Sequence, residues 1–272
     1  MTQEKALTIL KSGESVFLSG EPGAGKTHTV NSYVKYLREH EIEPAITAST
    51  GIAATHIHGM TIHSWSGIGI KQELSKDDLE KMVHNKFIYR RITKTNVLII
   101  DEVSMLSART LDMVDKVCRK VRDSEQPFGG MQVVLVGDFF QLPPVSRLGE
   151  EHAQFAFESD AWQELNPTVC YLTEQHRQDD ADFLGVLSAL RAGEYGAEHR
   201  RHLQSRVGTH EKVVHELPRL FPHNSNVDTI NDRELKKLSG DKKEFLMESS
   251  GGERYVEALK RGCLSPERLV LK

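Results

Sequence analysis

Eight residues near the start of the chain, Gly20 to Thr27, have the types and spacing needed to hold a nucleoside triphosphate. They read Gly-Glu-Pro-Gly-Ala-Gly-Lys-Thr and match every fixed position of the phosphate-binding pattern G-x-x-x-x-G-K-[ST]. Glycines let the backbone curl so tightly that many N–H groups face one point. In such a loop Lys26 reaches the β- and γ-phosphates, and the hydroxyl of Thr27 is a ligand of Mg²⁺.

Two adjacent carboxylates, Asp101 and Glu102, end an apolar run from 97 to 100. Two acids at the tip of a buried strand are costly to desolvate unless they serve a purpose. A phosphate loop upstream provides one. Asp101 would hold Mg²⁺ through water, and Glu102 would orient and activate the attacking water. The alternative is a strand that merely ends in surface acids.

Two glutamines are further candidates. Gln141 follows a second apolar run, 131–136, in the loop that contains Gly-Asp-Phe-Phe-Gln-Leu-Pro-Pro. A neutral amide at that place can contact both the γ-phosphate and the attacking water, and so report which nucleotide is bound. Gln3 lies a short way upstream of the phosphate loop, where its amide could meet the adenine edge. A solvated side chain is the ordinary alternative for both.

The elements that must position these residues alternate between strand and helix. The predicted strands are 15–18, 45–48, 97–100, 131–136 and 168–172, and the predicted helices include 4–10, 27–39, 108–122 and 182–192. A strand, a helix and a further strand in this order favour a parallel sheet. Ligands of open α/β sheets bind at the carboxyl ends of the strands. The sequence therefore predicts an α/β phosphate-loop fold that gathers the candidates at one edge.

A segment rich in small and hydroxyl residues follows the second strand, from Ser49 to Trp65. Hydroxyls and backbone amides there could hold sugar-phosphate without reading a base sequence, and Trp65 could stack on a base. The alternative is that Trp65 and Ile62 belong to the core. The candidate contacts to DNA are Thr50, Gly51, His58, Gly59, Thr61, His63 and Trp65.

The bulk composition is that of a globular protein. The 272 residues are 38% hydrophobic and 27% charged, with a net charge of −4, and the sequence pI is about 6.4. Any nucleic-acid site must therefore be a local groove rather than a basic surface. No apolar run approaches the about 18 residues of a membrane span, no signal core begins the chain, and three separated cysteines suit a reducing compartment. We expect a cytoplasmic, nucleoid-associated or nuclear protein that is neither secreted nor membrane-bound.

Taken together, the motifs resemble the PIF-one family of DNA helicases, RecD-like members of helicase superfamily one. The resemblance extends in order over nearly the whole chain. Its more specific stretches are Gly-Asp-Phe-Phe-Gln-Leu-Pro-Pro-Val and Leu-Thr-Glu-Gln-His-Arg-Gln. The matching residues are Gln3, 20–27, 49–54, 58–65, 99–106, 134–145, 158–162 and 172–178.

The resemblance implies two RecA-like domains with ATP between them and single-stranded DNA across their top. It implies 5′-to-3′ translocation coupled to ATP hydrolysis, with unwinding at duplex junctions. Lys26, Glu102 and Gln141 would act on the phosphates and the attacking water, Thr27 and Asp101 would hold Mg²⁺, and Arg177 would be an arginine finger. From the sequence alone, Arg177 could equally be a surface residue. The implied ATP contacts are Gln3, Gly20, Glu21, Pro22, Gly23, Ala24, Gly25, Lys26, Thr27 and His28.

The domain organisation that follows is one complete domain and part of another. Residues 1–172 would form the first RecA-like domain, with a small helical insertion at about 67–94. Residues 173–216 would connect it to the start of a second RecA-like domain at 217–272. The later motifs of the family are missing, so we expect a truncated chain whose second domain another chain could complete.

Two other functions remain open at this point. One is a truncated ATP- and DNA-binding fragment with little or no turnover. The other is a phosphate-loop ATPase that acts on protein partners, against which the segment from Ser49 to Trp65 weighs. Family members serve genome maintenance, including DNA repair, recombination and telomere maintenance, and no residue selects among these pathways.

Overall fold

A computed structural model describes residues 1–57, 59–145, 153–174, 180–207, 220–221, 224–253, 256–257, 260 and 266–272. The chain divides into two compact units, Met1–Gly196 and Ala197–Lys272. The predicted domain boundaries at 172 and 216 stay predictions.

The first unit is built on a parallel sheet of six strands in the order β3-β2-β4-β5-β1-β6. The strands are β1 Val16–Gly20, β2 Ala45–Ala48, β3 Met60–Thr61, β4 Val97–Asp101, β5 Gln132–Val136 and β6 Thr168–Leu172. Ala48 pairs with Asp101, and Gly20 pairs with Leu172. Because all the strands run in one direction, their carboxyl ends meet at one edge. The phosphate loop and the two adjacent carboxylates lie at that edge, as the sequence predicts.

Helices cover both faces of this sheet. They are α1 Gln3–Lys11, α2 Lys26–Glu39, α3 Gly51–His56, α4 Ile62–Ser66, α5 Lys76–His84, α6 Lys86–Lys94, α7 Ala108–Arg122, α8 Asp160–Leu165 and α9 Ala181–Ala192. Side-chain hydroxyls or carboxylates cap several of their N-termini, as Ser107 does for α7 and Asp180 for α9. Each cap satisfies a backbone N–H that the helix itself leaves without a partner.

The neighbouring strands β4 and β5 send alternate side chains to opposite faces of the sheet. Leu98 and Ile100 of β4 pack with α4 to α8, whereas Val97 and Ile99 pack with α1 and α2. This alternation explains why both strands read as continuous apolar runs, since neither face meets water. Burial on both sides fixes their register, and with it the position of the acids that follow β4.

The segment predicted as a helical insertion contains α5 and α6. Ile68, Met82 and Ile92 from this segment are buried and join the same core as α7. A capping box at Ser75 and Asp78 starts α5. The two helices are therefore held by the core of the first unit rather than by a core of their own.

The described residues of the second unit include helices and a two-stranded antiparallel sheet whose bounds are established. These are α10 Ala197–Ser205, α11 Asn224–Lys237, β7 Lys243–Leu246 and β8 Arg268–Leu271. The sequence predicts a helix near α11. It does not predict α10, and most of the strand expected at 217–224 lies outside the described residues.

Across the part of the chain that the structure describes, no helix combines the length and apolar composition needed to cross a membrane.

Candidate active site

The phosphate loop connects the end of β1 to the start of α2. Gly25 is the residue before α2 and has a φ of +85°. A side chain there would be strained, and its Cβ would lie 2.2 Å from Nε2 of Gln3. Glycine is therefore favoured at this position mainly by the backbone conformation, because the Gln3 amide is the end of a flexible side chain that can turn away. The positive end of the α2 dipole faces the loop, which suits an anion.

Lys26 folds back over the loop. Its ammonium group donates to the carbonyl oxygen of Gly20 at 2.8 Å and to that of Glu21 at 3.3 Å. Burial lowers the pKa of Lys26, and the charge of Arg191 lowers it further, while the charges of Asp138, Glu102 and Asp101 act in the opposite direction. The ammonium group is held in place by acceptors that it could exchange for phosphate oxygens.

A cavity of about 570 Å³ opens over this loop. Its lining residues are Pro22, Gly23, Gly25, Lys26, Thr27, His28, Glu102 and Gln141. The predicted site residues of the phosphate loop thus line the same cavity as Glu102 and Gln141, which come from two other parts of the sequence. The size is in the range of a small-molecule site, and polar groups converge on it.

Asp101 and Glu102 form the acidic side of the site. Glu102 has a left-handed backbone conformation with a φ of +53°, and its N–H donates to Oδ1 of Asp101 at 2.9 Å. Burial raises the pKa of Asp101, against the opposing effects of that N–H and of Lys26. Burial, followed by the charge of Asp101, also raises the pKa of Glu102. Both carboxylates would be stabilised by a cation.

The donor set at this edge fits magnesium. Within the described residues, no three His, Cys, Asp or Glu side chains cluster as a metal site. Mg²⁺ needs no such cluster, because one or two protein oxygens commonly hold it together with waters and substrate phosphates. The hydroxyl of Thr27 and the carboxylate of Asp101 are oxygen donors of this kind.

Gln141 reaches the cavity from the loop after β5. Its Nε2 donates to Oδ2 of Asp138 at 2.8 Å, and Asp138 is only 1% exposed. The same carboxylate accepts two hydrogen bonds from Arg191, at 2.7 and 2.9 Å. Asp138 and Arg191 were missed as site residues. Asp138 lies inside the Gly-Asp-Phe-Phe-Gln stretch and could have been noticed, whereas the sequence around Arg191 indicates only an amphipathic helix.

Gln3 lies against the phosphate loop. Its Nε2 donates to the carbonyl oxygen of Ala24 at 3.4 Å, and its Oε1 lies 2.9 Å from Nδ1 of His28. The backbone N–H of Gln3 donates to Glu174. These contacts connect the first helix with the loop, and the adenine contact stays a prediction.

The candidate DNA residues follow β2 at the same edge of the sheet. The hydroxyls of Thr50 and Thr61 cap α3 and α4. A Cβ on Gly59 would lie 2.3 Å from the carbonyl oxygen of Ile46, so the chain can pass here only with glycine. Burial lowers the pKa of His63, which favours its neutral form. Gly51 is exposed at the start of α3.

Trp65 does not fit the stacking role expected of it. Its side chain is 2% exposed and belongs to the core beside Ile62, Ile68 and α7. A base needs a free ring face to stack on, and this ring is covered. The alternative interpretation of Trp65 as a core residue is the one that the structure supports.

Two predicted site residues, His58 and Arg177, lie outside the described residues.

Comparison with known proteins decides the family. A family model described as PIF1-like helicase matches residues 3–200. The chain belongs to this family. The PIF1-like helicases are also the family that the sequence motifs resemble.

Three relatives illustrate the similarity. The ATP-dependent DNA helicase Pif1 of Psychrobacter sp. (strain PRwf-1) is 45% identical over 100% of this chain and 42% of its own length. The crystal structure of the Pif1 helicase from Candida albicans has a TM-score of 0.80 at 33% identity, with 99% of this chain and 62% of that chain covered. A Bacteroides Pif1 in complex with ADP-AlF3 and single-stranded DNA has a TM-score of 0.72 at 27% identity, with 99% and 63% covered. The chain thus spans about two fifths of the length of the Psychrobacter relative.

Proposed function

We propose that this chain is the ATP-hydrolysing part of an ATP-dependent DNA helicase that translocates 5′ to 3′ on single-stranded DNA and unwinds duplex junctions. The observation that carries the proposal is the cavity over the phosphate loop, where Lys26, Glu102 and Gln141 converge. Membership of the PIF1-like family supplies the class of reaction. A related Bacteroides Pif1 has been crystallised with a nucleotide analogue and single-stranded DNA.

In this proposal the triphosphate lies along residues 20–28, with Lys26 donating to the β- and γ-phosphates and Gln3 near the adenine. Thr27 and Asp101 would hold Mg²⁺, which would supply positive charge to offset the negative charge that develops on the phosphates. Glu102 accepts a proton from the attacking water, a role that suits a carboxylate whose pKa is raised by burial and by Asp101.

Two further residues complete the proposed reaction. Gln141 contacts the γ-phosphate and the attacking water, and so distinguishes ATP from ADP. Arg177 supplies a planar permanent charge that stabilises the transferring phosphoryl group.

DNA would be bound through the segment that follows β2. Thr50, Gly51, His58, Gly59, Thr61 and His63 are proposed to contact the sugar-phosphate backbone through hydroxyl, imidazole and amide groups. This mode of contact holds a strand without reading its sequence. We place the protein with DNA, in the nucleoid or the nucleus. Genome maintenance is the general role that follows, without selecting repair, recombination or telomere maintenance.

The first test is steady-state ATP hydrolysis by the chain, with and without a single-stranded oligonucleotide. Lys26→Ala should abolish turnover. Lys35→Ala is the matched control, because Lys35 lies on the same helix with its side chain 79% exposed. If DNA stimulates ATP hydrolysis by the parent and by Lys35→Ala but not by Lys26→Ala, the result would support the helicase function. ATP binding without turnover would favour the fragment function, and turnover indifferent to DNA would favour an ATPase that acts on proteins.

A further inference from the structure

Asp138 and Arg191 form an almost completely buried ion pair. The two side chains are 1% and 12% exposed. The guanidinium group donates to both carboxylate oxygens, at 2.7 Å to Oδ2 and at 2.9 Å to Oδ1. Such a two-pronged pair fixes the orientation of the carboxylate as well as its position. The residues lie 53 positions apart, in the loop after β5 and near the end of α9.

The carboxylate of Asp138 in turn organises the loop that carries Gln141. It accepts from Nε2 of Gln141 at 2.8 Å and from the backbone N–H of Phe140 at 3.2 Å. The backbone N–H of Gln141 donates to the carbonyl oxygen of Asp138 at 2.9 Å. The guanidinium carbon of Arg191 also lies 4.6 Å from the centre of the Phe140 ring. Arg191 therefore contacts this loop through both a charge pair and a ring.

An ionised carboxylate determines which end of the Gln141 amide faces it. A carboxylate only accepts hydrogen bonds, so the NH₂ group must turn toward Asp138. That arrangement leaves the amide oxygen and the second N–H for ligands in the cavity that Gln141 lines. An N–H can donate to a γ-phosphate oxygen, and the amide oxygen can accept from a water.

The helix that carries Arg191 also contacts the phosphate loop. The hydroxyl of Ser188, one turn earlier on α9, donates to Oε1 of Glu21 at 3.2 Å. One helix thus contacts the phosphate loop and, through Asp138, the Gln141 loop. Side chains on a single rigid element keep two loops in a fixed relation.

We propose that Arg191 is the positioning residue that, through Asp138, orients the Gln141 amide and so sets how well the site distinguishes ATP from ADP. This inference rests on the proposed function, in which Gln141 contacts the γ-phosphate. Arg191 itself contacts neither nucleotide nor water in this role. It acts by holding the acceptor that holds Gln141.

The test compares the affinities of the chain for a non-hydrolysable ATP analogue and for ADP, both with Mg²⁺. In Gln141→Ala the preference for the ATP analogue should fall about tenfold, the effect of one lost hydrogen bond to a charged group. Arg191→Met should cause a similar fall while the affinity for ADP changes less than about twofold. Combining both substitutions should add little, because residues that act through one contact are not additive. Arg109→Met, an exposed arginine on α7, is the control.

Arg191→Met leaves Asp138 buried without its cation and could reduce folding. The double variant Asp138→Asn with Arg191→Met removes both charges and keeps similar volumes. An asparagine no longer dictates which end of the Gln141 amide faces it, so this variant should also lose discrimination while it stays folded.

The outcomes separate this inference from the proposed function. If Gln141→Ala leaves the preference for the ATP analogue intact, the proposed role of Gln141 is wrong. If Gln141→Ala lowers it but the double variant does not, the role of Arg191 is wrong. An equal loss of affinity for both nucleotides in the double variant would also overturn the inference, since it would indicate a merely structural pair.

Discussion

The backbone N–H of Ser49 donates to the carbonyl oxygen of Asp101 over 3.1 Å. This bond continues the pairing of β2 with β4 for one residue beyond Ala48. It joins the start of the proposed DNA segment to the residue proposed to hold Mg²⁺. The two proposed functions therefore share a backbone contact at the edge of the sheet, so a displacement of one segment must strain or break a bond to the other.

Glu102→Gln should separate binding from chemistry. An amide of the same shape cannot accept a proton from water, so kcat should fall about 10²- to 10⁴-fold. ATP affinity should persist, because removing one charge also removes the repulsion between Glu102 and Asp101 that raises the pKa of Glu102. Single-turnover hydrolysis and equilibrium binding measure the two effects.

Glu4→Gln provides the control for that substitution, since Glu4 is exposed on α1 and should have normal turnover. If Glu102→Gln hydrolyses ATP at the normal rate, the base must be another group.

Asp101→Asn should stabilise the nucleotide-free protein at neutral pH. Burial raises the pKa of Asp101, so its charged form is less stable in the folded than in the unfolded chain. The folded protein therefore loses stability as the pH rises from the unfolded pKa of about 3.9 through the raised folded value. Asparagine avoids that loss and can still accept the N–H of Glu102. We expect a gain of about 1 kcal/mol at pH 7.

The gain should vanish at and below about pH 3, where both chains are neutral at this position. Denaturant unfolding of the two proteins at pH 3 and pH 7, without Mg²⁺, measures the difference. Equal stability at pH 7 would contradict the expected cost of the Asp101 charge.

The spacing of apolar residues along the sequence was enough to predict several helices and strands. The predicted helix 108–122 and strand 168–172 have the bounds found for α7 and β6, because an apolar stripe at helical spacing or a short apolar run bounded by turns leaves little choice. The α/β fold with a parallel sheet was also predicted correctly, since the phosphate loop follows one strand and precedes a helix that leads to another.

The spacing of apolar residues does not predict contacts between residues that are far apart in the sequence. Nothing in the sequence pairs Asp138 with Arg191, because their meeting depends on how α9 packs on the loop after β5. The environment of Trp65 was ambiguous for a similar reason: an aromatic residue among hydroxyls suits either a stacking surface or a core. The helix α10 was missed because its sequence is polar and none of its residues is buried.

Trp65→Phe should preserve binding of single-stranded DNA. The ring is in the core, and its Nε1 is buried without a hydrogen-bond partner among the described residues. Phenylalanine removes that donor and keeps most of the apolar contact. Trp65→Ala should instead lower the free energy of unfolding by about 3–5 kcal/mol, the usual cost of such a cavity.

Fluorescence anisotropy with a labelled oligonucleotide and denaturant unfolding measure the two quantities. A large loss of DNA affinity in a stably folded Trp65→Phe variant would show that the indole ring does reach DNA. Thr61→Ala offers a comparison for the unfolding measurement. It removes the hydroxyl that caps α4, so it should lower the free energy of unfolding by only about 1 kcal/mol.

Gly25→Ala should weaken both folding and nucleotide binding. A left-handed conformation at φ +85° costs a residue with a side chain about 1–2 kcal/mol, and the new Cβ would also meet Nε2 of Gln3 at 2.2 Å. The Gln3 amide is the end of a flexible side chain that can turn away, so most of the cost should be backbone strain. Adding Gln3→Ala should therefore recover little of the stability. Gly185→Ala is the matched control. Gly185 lies within α9 with nothing near its would-be Cβ, and this exchange should stabilise the helix by about 0.5–1 kcal/mol. Denaturant unfolding of the three variants and the parent checks the series, and a Gly25→Ala protein as stable as the parent would mean that the loop adopts another backbone conformation.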